Sequence, residues 1–230
     1  MLFRSHFKKY ALHTKIVLVT SGFLILVGAA GFFLLERNAS MADLPLWEKI
    51  LASFFQSVTT RTAGFNTVDQ AMLSDGGGML SIILMLIGGS PGSTAGGMKT
   101  TTLAVLICCS VAVFRKRPHG QYFGRRIADE TVKNAVTVFL MYITMFLTGG
   151  MVISAVEELP LLTCLFESAS AVGTVGLSLG ITPGLGTVSR LVLIMLMFFG
   201  RVGGLTLIFA TLPAKRNTLS KLPLEKITVG

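Results

Sequence analysis

Residues 16–35 and 134–156 contain no charged side chain over 20 and 23 positions. As helices, rising 1.5 Å per residue, runs of that length cross about 30 Å of hydrocarbon. A backbone in lipid must satisfy its own hydrogen bonds, and no alternating barrel pattern accompanies these runs, so helices are the expected form. Two further stretches, 79–114 and 188–214, are also mostly apolar. A mean hydropathy of +0.73 and a charged fraction of 13% agree with that reading. The chain is expected to be an all-α integral membrane protein of the cell membrane, with four transmembrane spans.

Between the long spans lie two apolar segments too brief to cross a bilayer, 47–60 and 161–172. Each runs into a turn-like motif, Thr62-Ala63-Gly64-Phe65 in the first case and Thr174-Val175-Gly176-Leu177 in the second. The glycines of the two motifs are 112 positions apart, and the same offset places Phe54 on Phe166 and Gly88 on Gly200. That spacing predicts an internal duplication of a helix–half-helix–helix unit. The expected organisation is a first repeat over 1–114, a basic loop over 115–133, a second repeat over 134–214 and a tail over 215–230. An external loop is expected at 69–78, with its glycine cluster at the end.

The stretch 79–114 is too long for one crossing, since its 36 residues would reach roughly 54 Å as a single helix. Inside it runs Gly88-Gly89-Ser90-Pro91-Gly92-Ser93-Thr94-Ala95-Gly96-Gly97, a string that cannot sustain a helix. Two half-helices joined by a non-helical loop over 88–98 are therefore predicted. Such backbone survives at membrane depth only where protein shields it or a watery cavity meets it. A pore would supply that cavity.

The net charge of +9 is explained by placement rather than by a nucleic-acid partner. Fourteen of the twenty basic residues fall in 1–15, 115–133 and 215–230, segments that four crossings put on one side. By the positive-inside rule that side is cytoplasmic, with both termini inside. The intervening segments carry Glu36, Asp43, Glu48, Asp69, Asp75, Glu157 and Glu158. The run 16–35 is longer than a usual signal-peptide core and is expected to be retained. Cys108, Cys109 and Cys164 fall in apolar segments without metal-site spacing, which marks them as structural thiols.

A half-helix entering from outside directs its partially negative C-terminal end toward the membrane centre, a favourable place for a cation. Gly64 and Gly176 permit backbone angles that turn carbonyls inward, and Thr62 and Thr174 add a hydroxyl or carbonyl at the inner end. Close helix packing is the plain alternative use for such glycines. Two copies, each behind a half-span, favour an ion filter. Oxygen ligation without carboxylates suits a monovalent ion, potassium first and sodium second. Arg201 interrupts the otherwise uncharged stretch 191–214. A central arginine costs at least about 2.5 kcal/mol, so it should face protein or water. It is read as a fixed positive charge below the filter, the alternative being bonds to carbonyls near Gly203 and Gly204. Arg61 and Glu167 are a candidate bracing pair across the repeats.

Two motif matches fail on context. Gly88-Gly89-Ser90-Pro91-Gly92 fits the hydrolase nucleophile turn, but His6, His13 and His119 all lie in expected cytoplasmic segments. Residues 92–100 approach a phosphate-binding loop, but Met98 intrudes before Lys99. No enzymatic activity is expected.

Residues 59–67, 88–102 and 173–178 together resemble the Trk/Ktr/HKT potassium transporters. The resemblance implies that Gly64 and Gly176 are filter glycines, that 88–98 is an intramembrane gating loop, and that Arg201 faces the pore. It further implies potassium uptake, homodimeric assembly and a cytosolic nucleotide-binding regulatory ring. Members carry four such repeats around one pore, and this chain has two, matching the third and fourth. The missing pair of repeats or a second copy of the chain is thus an expected partner, with a non-conducting fragment or assembly subunit as the alternative.

Overall fold

The computed structural model describes residues 10–117 and 119–202. The expectations for residues 1–9, for 203 onward in the last crossing and for the tail 215–230 lie outside the described residues. Seven α-helices occur among the described residues: α1 (Leu12–Glu36), α2 (Leu46–Thr59), α3 (Asp75–Leu86), α4 (Thr100–Phe114), α5 (Asp129–Glu157), α6 (Leu161–Val172) and α7 (Thr187–Val202). A two-stranded antiparallel hairpin, β1 (Gln121–Tyr122) with β2 (Arg125–Arg126), connects α4 to α5. Only α1 and α5 are long and apolar enough, among the described residues, to cross a membrane individually.

Each long helix packs most extensively on the short one that follows it, α1 on α2 and α5 on α6. The halves join through α3 against α6 and α4 against α5. Where α1 meets α2 the interface is made of small and polar groups. Ser57 Oγ donates to Ile25 O at 3.0 Å, and a Cβ on Gly28 would overlap that hydroxyl. α2 buries Ser53, Gln56, Ser57 and Thr59 while exposing Trp47, Leu51, Phe54 and Phe55. An apolar exterior over a polar, hydrogen-bonded seam is the arrangement lipid favours, because side-chain hydroxyls there meet partners only inside the protein. In the second half, Ser168 Oγ donates to Phe146 O at 2.8 Å, and Gly149 lets Leu196 and Ser168 approach α5 closely. Phe32, Ile153 and Val172 anchor one apolar core, and Ile82, Met85 and Phe166 anchor its neighbour.

Several boundaries differ from the sequence expectation. The glycine cluster 76–78 is not the end of a loop but the first turn of α3. Ser74 caps that turn by accepting from Gly77 N at 3.1 Å. The carboxylate of Glu36 occupies the space a Cβ on Gly77 would need, so the glycines admit a buried acid rather than break a helix. At the other end α5 starts at Asp129, with Asp129 and Glu130 in its first turn, where the helix dipole favours acids. The hairpin is fastened to α4 by Tyr122 Oη donating to Ala104 O at 3.1 Å. Burial there pushes the Tyr122 phenol above its ordinary pKa, with Cys108 and Cys109 adding to the effect.

Candidate functional site

Both short helices end in turns of the same unusual backbone. After α2, Thr62 and Gly64 each have φ of 75°; after α6, Thr174 has 52° and Gly176 has 89°. Glycine adopts this left-handed region freely, but a β-branched residue there is an outlier costing about 1–3 kcal/mol. The strain recurs at positions 112 residues apart, Thr62 with Thr174 and Gly64 with Gly176. The sequence pointed to the glycines and missed that the threonines share their conformation, since nothing in a threonine marks it as left-handed.

The turns spend their N–H groups on the helix ends. Ala63 N and Gly64 N both donate to Thr59 O at 3.1 Å, while Thr174 N donates to Ala171 O at 3.0 Å and Val175 N to Ser170 O at 2.9 Å. A hydroxyl six residues back completes each knot. Thr59 Oγ1 accepts from Phe65 N at 2.8 Å, and Ser170 Oγ accepts from Gly176 N at 3.2 Å. Among the described residues no donor reaches the carbonyl oxygens of Thr62, Ala63, Gly64, Thr174, Val175 or Gly176. The result is a set of uncommitted carbonyl oxygens at the negative ends of two helix dipoles, chemistry suited to a cation. The turns also meet, because a Cβ on Gly64 would overlap Val175 O. Ala63 and Phe65 of the first turn are exposed, whereas Val175 and Leu177 of the second are buried against Met85 and Phe166.

The bracing pair does not form. Glu167 instead accepts Ser178 Oγ at 2.7 Å, Leu179 N at 3.0 Å and Thr182 Oγ1 at 2.8 Å, tying down the chain that leaves the second turn. Arg61 Nη1 points to Ser21 O of α1 at 3.5 Å. A buried carboxylate is satisfied more cheaply by several local hydroxyl and N–H donors than by a charge on another element, and those donors follow Glu167 closely in sequence.

The chain leaves α3 at Leu86 and re-enters a helix at Thr100. The two ends of this excursion are stitched together, with Met98 N donating to Leu86 O at 3.1 Å and Thr100 N to Gly89 O at 3.2 Å. Gly88 lies flush against Gly96 O, and Gly89 faces Ser93 and Ala95. At the tip, Ser93 N and Ser93 Oγ both donate to Ser90 O, at 3.2 and 2.6 Å, forming a turn around Pro91 and Gly92. Gly92 and Gly97 have φ of 86° and 69°. Three consecutive residues of the loop are then held from outside or by its own lysine. Arg201 Nη1 donates to Thr94 O at 2.6 Å, Lys99 Nζ donates to Ala95 O, and Gly96 N donates to Thr174 Oγ1 at 3.1 Å. Arg201 therefore grips the loop; the alternative partners near Gly203 and Gly204 lie outside the described residues. A cleft of about 760 Å³ is lined by Thr174, Val175 and Gly176 of the second turn and by Leu193, Met197 and Arg201 of α7. None of Thr62, Ala63, Gly64 or Phe65 lines it.

The chain is similar to known proteins along most of its length. The family described as TrkH, cation transport protein, matches residues 4–219. The potassium/sodium uptake protein NtpJ of Enterococcus hirae is 39% identical over 231 residues, covering 97% of this chain and 51% of its own length. The Ktr system potassium uptake protein B of Bacillus subtilis is 34% identical over 215 residues, covering 93% of this chain and 48% of its own length. The chain thus spans about half the length of the curated relatives it matches. The crystal structure of the potassium transporter TrkH from Vibrio parahaemolyticus superimposes with a TM-score of 0.69 over 85% of this chain and 44% of that one. At 24% identity that likeness is one of fold.

Proposed function

The chain belongs to the TrkH family of cation transport proteins, a membrane transporter family rather than an enzyme family, and from that premise we propose that it forms half of a potassium uptake pore. The carbonyls of Thr62, Ala63 and Gly64, with those of Thr174, Val175, Gly176 and Leu177, are two quarters of a filter that replaces the water around a potassium ion. Phe65 O, which accepts from Thr59 Oγ1 at 2.7 Å, closes the first turn instead. The missing quarters come from a partner half or a second copy of this chain. Both termini and the 115–133 loop face the cytoplasm in this reading, as their basic residues require, and the full assembly is a homodimer regulated by a cytosolic nucleotide-binding ring. Residues 88–98 are the gate, held shut in part by Arg201.

One observation carries the proposal: matching strained turns, at the ends of two short helices, leave their carbonyl oxygens without donors. Potassium is preferred because neutral oxygens without carboxylates favour a weakly hydrated monovalent ion. Sodium is the second candidate, and NtpJ is named for both ions. Uptake into potassium-starved cells tests the reading. Expression should rescue growth, and Gly64→Asp or Gly176→Asp should abolish the rescue. Rescue untouched by both substitutions would end it. The alternative reading is a non-conducting fragment or assembly subunit, which a correctly folded but silent chain would support.

A further inference from the structure

We propose that Thr174 is a positioning residue that couples the second ion-binding turn to the intramembrane loop, so that the loop cannot move without reshaping the turn. The proposal deepens the permease reading above and rests on it. Thr174 is attached at both ends. Its main chain is part of the strained turn, with φ of 52°, and its hydroxyl accepts the N–H of Gly96 at 3.1 Å.

The contact is built in from the loop side as well. A Cβ on Gly96 would overlap the Thr174 hydroxyl, and the Cβ position of Gly97 lies 3.4 Å from Gly173 Cα. Loop and turn therefore meet backbone to backbone, with Thr174 Oγ1 as the hydrogen-bonded pin. A β-branched side chain is stiff about χ1, so displacement of Gly96 is passed to the Thr174 backbone rather than absorbed by side-chain rotation. Of the three side chains holding residues 94–96, Lys99 belongs to the loop and Arg201 to α7. Thr174 is the one on the turn. The equivalent residue of the first repeat, Thr62, has the same left-handed backbone but makes no side-chain hydrogen bond among the described residues.

A threonine acting only as an ion ligand and one acting as a coupler respond oppositely to loss of the hydroxyl. Losing a ligand lowers uptake. Losing the pin frees the gate and slackens the turn together, so uptake rises and selectivity falls. The test uses the assembled transporter, this chain with the half that completes its pore, in proteoliposomes loaded for potassium and sodium tracer flux. Thr174→Val should raise potassium uptake about two- to tenfold, the range a single net hydrogen bond supports, and lower the potassium-to-sodium ratio. Thr174→Ser, which keeps the hydroxyl but not the stiff branch, should recover most of each. Gly96→Ala, which displaces the hydroxyl from the loop side, should reproduce the valine phenotype and serves if Thr174→Val fails to fold. Uptake that falls in Thr174→Val, or serine behaving like valine, would overturn the proposal. A wild-type assembly that carries neither ion would instead overturn the permease reading beneath it.

Discussion

Glu36 and Glu157 close corresponding joints in the two halves of the chain. Each is the last residue of its long helix, α1 or α5, and each caps the start of the helix that follows the left-handed turn. Glu36 accepts Ser74 N at 3.1 Å and Ser74 Oγ at 2.5 Å at the head of α3. Glu157 accepts Gly186 N at 2.9 Å and Ser189 Oγ at 2.5 Å at the head of α7. The short helix and its turn lie between each glutamate and the group it caps, so the joint fixes where the turn sits. Glu36 is fully buried and takes two further bonds from Ser40.

Glu36→Gln replaces an acceptor-only group with one that brings its own donors into a site already full of them. The loss should be about 1.5–3 kcal/mol, the scale of hydrogen bonds to a charged group. Glu157→Gln, at a solvent-accessible joint, should cost less. Thermal melting of the purified protein in detergent orders the two, and equal melting shifts would refute the assignment.

Gly64→Ala and Gly176→Ala should part company. Both positions are left-handed, which costs alanine about 1–2 kcal/mol. Only at Gly64 does a Cβ also overlap the opposite turn, at Val175 O; at Gly176 the space is open. Gly64→Ala should therefore lower the melting temperature further and abolish uptake, whereas Gly176→Ala should carry the backbone cost alone. Comparable melting losses in the two variants would contradict the contact between the turns.

Arg201→Gln removes the charged donor to Thr94 O. A charge-assisted bond of about 1.5–3 kcal/mol corresponds to a shift of roughly ten- to a hundredfold in the balance between held and released loop. If the loop is the gate, basal potassium flux should rise. Flux at or below wild type would assign Arg201 to folding alone.

Thr59→Val and Ser170→Ala each cut the hydroxyl that ties a turn to its helix, a loss of about 0.5–1.5 kcal/mol. Both should weaken discrimination between potassium and sodium while leaving expression intact. Competition of sodium with potassium tracer reads this directly.

The sequence carried the two glycine turns and the broken helix because those features are local. Glycine and proline announce a helix break wherever they stand, and a fixed offset exposes Gly64 with Gly176. What it hid depends on distance or on loop length. The Glu36 and Glu157 joints escape the 112-residue offset because the linker from α1 to α2 is longer than that from α5 to α6. The glycines at 76–78 look like a loop until Glu36 is seen filling the space beside Gly77. Arg61 and Glu167 looked like partners by charge alone, but Ser178 and Thr182 reach the acid first. The bond from Gly96 to Thr174 joins residues far apart in the chain, and no local pattern reports it.

Rubidium, a potassium mimic with a strong anomalous signal, tests the central claim most directly when diffused into crystals of the assembled transporter. Anomalous density should lie within coordination distance of the carbonyl oxygens of Thr62, Ala63 and Gly64 and of Thr174, Val175 and Gly176. Rubidium bound elsewhere along the pore of a transport-competent assembly, with those oxygens facing away from it, would contradict the account.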